Sequence, residues 1–193
     1  MLQNAFKEWS VAVDALAEGR TVLLLRKGGI REVGSRFQVP HQRVWLYPTY
    51  EHQKPHLLKD PWATQITPVE AGWHPTQIII KAWAEIPHVW TVKRQQSVIS
   101  LLPFHIWNEQ FVTERFRWKP NQPLHLLVLR VHRLQVPIQL NWRSDYGGCR
   151  SWLTLADPLD NADSTPVLDE PAWNQIKETI YHQIQEFETV ESS

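Results

Sequence analysis

A chain of 193 residues is long enough to bury a sizeable core, and its one cysteine, Cys149, excludes a scaffold built on intramolecular disulfides. No apolar run approaches a membrane span, and Met1-Leu2-Gln3-Asn4 lacks the basic start and apolar stretch of a secretory signal, so the expectation is a soluble, cytoplasmic protein with no membrane partner. The 20 Lys and Arg balance the 20 Asp and Glu, but the signs are segregated: residues 1–156 hold 19 basic and 11 acidic side chains, residues 157–193 one basic and nine acidic. The organisation this predicts is a basic α+β domain over 1–156, then an acidic linker and C-terminal amphipathic helix over 157–193 that docks on the body or on a partner.

Phe6, Trp9, Val13 and Leu16 recur at spacings of three and four, which predicts an amphipathic helix over 4–18 stopped by Gly19. The short apolar run 21–26 reads as a strand delivered into a turn at Gly28-Gly29, with a weak partner strand over 36–39 and a better strand over 44–47. Thr49 looks like the N-cap of a turn of helix that Pro55 interrupts. Ile78, Ile79 and Ile80 mark a strand over 77–85, while Ser97 and Asn108 are candidate caps of short helices over 98–102 and 109–116.

Residues 124–131 are almost continuously Leu and Val, the pattern of a central strand covered on both faces. Gly147-Gly148 is a turn leading into a strand over 149–155, and 157–169 has the composition of a linker. Asp169 then caps a final helix with Pro171 in its first turn and Trp173, Ile176, Ile180, Ile184 and Phe187 as its apolar stripe. Short strands interspersed with helices, without regular alternation, predict an α+β fold with a mixed or antiparallel sheet flanked by helices. A small, partly closed barrel is the favoured arrangement.

The chemistry concentrates between Leu23 and Gln53. One apolar run delivers Arg26, Lys27, Gly28 and Gly29, two cations beside backbone that approaches a ligand without a Cβ; a second delivers Tyr47, Thr49, Tyr50, Glu51 and His52. Residues 115–150 add seven cations (Arg115, Arg117, Lys119, Arg130, Arg133, Arg143, Arg150) against Asp145 alone, interleaved with Trp118, Trp142, Tyr146 and Trp152. Cations for phosphates beside rings for bases are what a single-stranded or structured nucleic acid requires. The plainer reading is that Arg26-Lys27 is a solvated hairpin tip and the later arginines are surface charges or cation–π partners of buried rings. The eleven tryptophans each bring an N–H that wants an acceptor, which places several of them at a core edge or in a cleft.

Other chemistries fare worse. There is no G-x-x-x-x-G-K-[ST] phosphate loop. His52 and His56 have the spacing of two metal ligands on one helical turn, but Pro55 lies between them and no H-E-x-x-H occurs, so neither metal nor cofactor is expected. The carboxylates of 1–156 are too scattered for a metal-dependent nuclease. Cys149 beside Arg150 has the setting of an activated thiol, although a small buried cysteine is the commoner outcome.

The stretches Leu25-Arg26-Lys27-Gly28-Gly29-Ile30 and Tyr47-Pro48-Thr49-Tyr50-Glu51-His52-Gln53 resemble a mainly cyanobacterial family catalogued as domain of unknown function 1802. Phe6-Lys7-Glu8-Trp9, the apolar strand at 123–131 and Tyr146-Gly147-Gly148-Cys149-Arg150-Ser151-Trp152 fit it as well. The resemblance covers roughly 4–155 and implies a cyanobacterial source, but no reaction.

The favoured function is a nucleic-acid- or nucleotide-binding module with a basic, aromatic-lined cleft and no assigned catalytic residue. The candidate binding residues are Arg26, Lys27, Gly28, Gly29, Tyr47, Thr49, Tyr50, Glu51, His52, Arg130, Arg143, Tyr146 and Arg150, and the expected partner is RNA, another single strand or a nucleotide. The alternative is an assembly or regulatory factor that meets a protein partner through its C-terminal helix; a hydrolase comes third. What separates them is whether the three segments around Arg26, Tyr47–His52 and Tyr146–Arg150 converge in space.

Overall fold

In the computed structural model, which describes residues 1–28 and 39–189, the apolar run at 124–131 forms the first half of the longest strand, β5 (Leu124–Asn141). Burial of Leu124, Leu126, Leu127, Val128 and Leu129 to 0% exposure on both faces explains why no alternation shows in the sequence. β5 pairs with β4 (Gln77–Val92) as a long antiparallel ribbon interrupted by irregularities between Ile80 and Ala82 and between Glu85 and His88. Around this ribbon lie β2 (Leu23–Arg26) on one side and β3 (Arg43–Thr49), β1 (Leu2–Trp9) and β6 (Trp152–Leu159) on the other, in the order β2-β5-β4-β3-β1-β6, with the short β7 (Ser164–Pro166) also on β5. β1 and β3 are parallel and the other pairs antiparallel, so the fold is α+β with a mixed sheet, as expected.

Among the described residues the sheet does not close into the favoured barrel. β2 and β6 end the path without pairing to each other. The sheet nevertheless curls: the Arg26 guanidinium at the end of β2 donates to the Lys7 carbonyl (2.6 Å) and meets the Glu8 carboxylate (3.0 Å), although β5, β4 and β3 stand between β2 and β1 in the sheet.

Two apolar cores lie against the sheet. The larger gathers Phe6, Leu24, Leu46 and Leu127 with side chains from α1 (Ser10–Ala17), α2 (Gln95–Ile99), α3 (Glu109–Arg117) and α4 (Glu170–Thr189). The smaller gathers Ala5, Trp45, Tyr47, Ile78 and Ile80 under Tyr146, Leu153 and Leu155, and the Trp45 indole N–H finds its acceptor in the Leu2 carbonyl at 2.8 Å.

The helix expected over 4–18 is instead a strand followed by a helix. Ala5 and Phe6, adjacent in sequence, belong to different cores, a period of two that extended backbone satisfies and a helix does not. Pairing of β1 with β3 and β6 then outweighs the helical spacing of Phe6 and Trp9. Thr49 ends β3 rather than capping a helix. The weak strand at 36–39 falls largely outside the described residues, and β2 takes β5 as its antiparallel neighbour.

Both later cap assignments hold. The Asn108 side chain accepts from the Phe111 N–H (3.1 Å) at the start of α3, and the Asp169 carboxylate accepts from the Ala172 N–H (2.8 Å) at the start of α4. Ser97 lies within α2, where its hydroxyl donates to Glu188 of α4 (2.6 Å); the same carboxylate accepts from the Arg94 N–H (3.1 Å). Trp173, Ile180 and Ile184 of α4 are buried in the larger core. Among the described residues, no helix is long and apolar enough to cross a membrane.

Candidate functional site

Because β1 and β3 run parallel, their C-terminal ends lie side by side, Trp9 opposite Thr49, and the chain leaves both strands at the same edge. That is where an α/β crevice forms when a sheet opens beyond its strand ends. A cleft of about 850 Å³ occupies the position. Lys7, Glu8 and Trp9 come from β1, and Tyr47 to His52 from the end of β3 and the following turn. The end of β2 and α3 contribute Arg26, Lys27, Arg115 and Trp118; two loops bring Gly72 to Pro75 and Trp142 with Ser144 and Gly147 to Ser151. The three sequence-distant segments therefore meet in one cleft.

On the α3 side the charges are held by the protein. Arg26 sits over the Phe6 ring (4.6 Å) and pairs with Glu8, while its Nε has no acceptor among the described residues. Lys27 is only 5% exposed, and its ammonium donates to the carbonyls of Arg115 (3.0 Å) and Phe116 (3.4 Å), where a helix C-terminus leaves unsatisfied acceptors. Burial, reinforced by the Arg115 charge, lowers its pKa from the ordinary lysine value. Arg115 lies over the rings of Phe111 (4.8 Å) and Trp118 (5.9 Å), and burial together with the Arg26 charge lowers its pKa as well. Among the described residues Glu8 is the carboxylate in direct ion-pair contact with this set, Glu114 acting on Arg115 from farther away, and the Arg115 guanidinium still carries its charge because its ordinary pKa lies so far above neutrality.

On the loop side two charged residues act as clamps. Lys7 donates to the carbonyls of Tyr146 (2.8 Å) and Gly148 (3.0 Å), fixing a loop whose Gly148 has φ +78°, a conformation costly for any residue with a Cβ. Burial lowers the Lys7 pKa, partly offset by the nearby Glu51 charge. The Glu51 carboxylate accepts from the Gly72 N–H (2.5 Å) and so anchors the loop bearing Trp73 and His74. His74 stacks on Trp142 at 3.4 Å between centroids with 3° between planes, and Trp73, 45% exposed, stands edge-on to Tyr50.

Tyr47 is 1% exposed and edge-on to Tyr146, and its hydroxyl has no partner among the described residues. Burial raises the pKa of Tyr47 and of Tyr50, so both phenols stay neutral near pH 7. His52 reaches the lining from a left-handed turn, φ +60°.

Of the residues singled out in the sequence, Arg26, Lys27, Tyr47, Thr49, Tyr50, Glu51, His52 and Arg150 line the cleft. Gly28 lies beside it, its carbonyl accepting from Lys119 (3.0 Å), and Gly29 is outside the described residues. Arg130, Arg143 and Tyr146 are not in the lining. Arg130 pairs with Glu170 of α4, Arg143 with Asp145 (3.0 Å), and the Tyr146 hydroxyl accepts from the Ala156 N–H (2.8 Å) behind the cleft. Cys149 is exposed and lines the cleft, so the buried alternative does not hold. No residue of α4 lines it.

Sequence reasoning passed over Lys7, Trp73 and His74. Only the aromatic-rich pair Trp73-His74 beside Gly72 offered a local hint, and Lys7 offered none, because its role depends on carbonyls more than a hundred residues away in the chain.

The chain belongs to the family described as a domain of unknown function, DUF1802, whose model matches residues 5–179. No curated protein matches it. Among solved structures the chain is similar to ASCH from Zymomonas mobilis, at 13% identity and a TM-score of 0.47 over 91% of this chain and 93% of that one. Two mutant forms of the same protein match at 12% identity and TM-score 0.46 (91% and 94% covered) and at 11% and 0.45 (92% and 98%). At that distance the likeness bears on neither site nor activity.

Proposed function

We propose that this member of the DUF1802 family is a nucleic-acid- or nucleotide-binding protein whose ligand occupies the cleft at the ends of β1 and β3. The observation that supports this most is the convergence of Arg26, Tyr47–His52 and Gly148–Arg150, with Arg115 and the Trp73, His74 and Trp142 rings, around one opening. Its volume falls within the roughly 300–1,000 Å³ of small-ligand sites. Cations held in a partly desolvated setting attract phosphate more strongly than the same groups in water, and exposed rings stack bases of any sequence.

In this reading Arg26 and Arg115 meet phosphate, Arg150, whose guanidinium donates to the Asp145 carbonyl (3.0 Å), adds charge from the loop side, and Lys27 adds charge without a direct bond, since its donors are directed at α3 carbonyls. Tyr50, Trp73 and His74 offer ring faces, and His52 with the second oxygen of Glu51 reads a base edge. Arg130 and Arg143 have carboxylate partners outside the cleft and take no part. RNA or another single strand is the proposed macromolecular partner, and the cytoplasm, where a lone reduced cysteine persists, is the proposed location.

The test is a titration of the purified full chain with a random single-stranded oligoribonucleotide at several salt concentrations, after the ultraviolet absorbance ratio has shown whether nucleic acid co-purifies. The expected result is binding at low ionic strength that weakens linearly in log Kd against log salt. Absence of binding at low ionic strength would overturn the proposal.

A further inference from the structure

Within the cleft, charge and ring surface are separated. The cations on the α3 side form a set, Arg26, Lys27 and Arg115, in which, among the described residues, Glu8 makes the one direct ion pair, with Arg26, while Glu114 acts on Arg115 from farther away. The three differ in what remains free. Lys27 is directed onto α3 carbonyls, and Arg26 uses one terminal nitrogen for both the Lys7 carbonyl and Glu8.

Among the described residues the Arg115 guanidinium has no hydrogen-bond acceptor and no carboxylate in direct ion-pair contact; it lies over the faces of Phe111 and Trp118, with the Glu8 and Glu114 charges acting on it from farther away. A guanidinium oriented by ring stacking, opening on a cleft, with five N–H donors unassigned, is set up for a planar, multi-oxygen anion. The unsatisfied Nε of Arg26 points to the same deficit of acceptors.

On the loop side the arrangement is the reverse. His74 and Trp142 form a pre-assembled stack, with His74 the exposed member and Trp142 half-buried against Gly147, where a Cβ would come within 3.7 Å of the indole. That surface is flat, and the charged residues around it are engaged with backbone: Lys7 with the Tyr146 and Gly148 carbonyls, Glu51 with the Gly72 N–H and Arg150 with the Asp145 carbonyl.

Resting on the binding function proposed above, we infer that the cleft is divided into a phosphate subsite at Arg115, backed by Arg26 and Lys27, and a base subsite on the His74–Trp142 stack. The phosphate is either a terminal monoester or a diester within a strand; both offer the oxygens a guanidinium chelates. The division fixes an orientation: the ligand enters with its phosphate toward α3 and its ring toward the loop clamped by Glu51. It also sets an order of importance, because among the described residues Arg115 has no competing protein acceptor whereas Arg26 and Lys27 each have one.

The experiment follows intrinsic tryptophan fluorescence while the full chain is titrated with adenosine, adenosine 5′-monophosphate and the dinucleoside monophosphate ApA. The expected result is that at least one phosphate-bearing probe binds about tenfold or more tightly than adenosine, the effect of one charge-assisted bidentate contact. Salt should weaken that advantage and leave adenosine unaffected. If the monophosphate alone gains, the phosphate is terminal; if ApA alone gains, it lies within a strand. Arg115→Gln should bring the phosphate-bearing probes down to the level of adenosine, whereas Lys177→Gln on α4, which removes the same formal charge, should not.

Equal affinity for all three probes overturns the phosphate subsite while leaving a binding cleft in place. No binding of any probe, together with no binding of the oligoribonucleotide, overturns both. The wild-type comparison stands even if the Arg115 variant fails to fold, and Arg115→Lys, expected to retain part of the phosphate advantage, supplies a second test of the same residue.

Discussion

The two sides of the cleft are built in opposite ways. On the α3 side, charged groups are buried and rings serve them: Arg26 lies on Phe6 and Arg115 on Phe111 and Trp118. On the loop side, rings are exposed and charged groups serve them, Lys7 holding the 146–148 loop and Glu51 the loop of Trp73 and His74. The difference shows that the residues most conspicuous in a sequence, its cations and carboxylates, need not be the ones that meet a ligand. Here some position others, and their removal should cost stability and order in distinguishable proportions.

The largest effect is expected where charge is buried. Arg26 and Glu8 have side chains only 18% and 7% exposed, so Glu8→Gln leaves a desolvated guanidinium without its counter-charge. The predicted loss is about 3 kcal/mol in urea denaturation, at the low end for a broken buried pair because the pair is not wholly enclosed. A loss within experimental error would mean that the α3 side tolerates uncompensated charge and that the asymmetry between the sides is superficial.

Next comes acid. His105 is 2% exposed, and burial, helped by the Lys59 charge, lowers its pKa from 6.5 to about 4. The folded chain keeps it neutral while the unfolded chain protonates it below 6.5, so stability falls as pH drops from about 6.5 to 4 and levels off below that. By pH 5 the loss from this group is about 2 kcal/mol. His105 lies outside the cleft lining, so the loss should be global, and His105→Phe should reduce the slope of the profile over that window; an unchanged profile would assign the acid sensitivity to other groups, such as His132, whose pKa burial also lowers.

Smaller and more local effects belong to the loop side. Glu51→Ala removes the acceptor of the Gly72 N–H, at a cost of about 1 kcal/mol, and should speed amide exchange at 72–74 without doing so in α3. His74→Ala uncovers Trp142, changing its fluorescence while altering stability by roughly 0.5 kcal/mol. If either change loosened α3 as well, the two sides would be one mechanical unit.

What could be read in advance follows the same division. β5 was legible because a strand covered on both faces needs an unbroken apolar run, and α3 and α4 because Asn108 and Asp169 carry local cap chemistry. β1 was misread because the partners that hold it extended, β3 and β6, lie far along the chain, while Phe6, Trp9, Val13 and Leu16 locally imitate a helix. At the site, Arg26-Lys27 and Tyr47–His52 stood out because apolar strands end in dense polar clusters.

Arg130 and Arg143 were indistinguishable in sequence from Arg150, yet their carboxylate partners place them elsewhere. Lys7 was invisible because its function is to hold a loop 139 and 141 residues away. Segregation of charge along the chain likewise does not translate into an acidic helix over a basic cleft, since α4 packs its apolar stripe into the larger core and contributes nothing to the lining.

The most direct test of the binding reading is amide hydrogen exchange of the full chain with and without a random single-stranded oligoribonucleotide at low ionic strength. The account predicts slowed exchange at Tyr47, 49–52, 72–74 and 142–151 and at the C-terminal end of α3, with α4 unchanged. Protection centred on α4 or on the β4–β5 ribbon, or no protection anywhere, would contradict it.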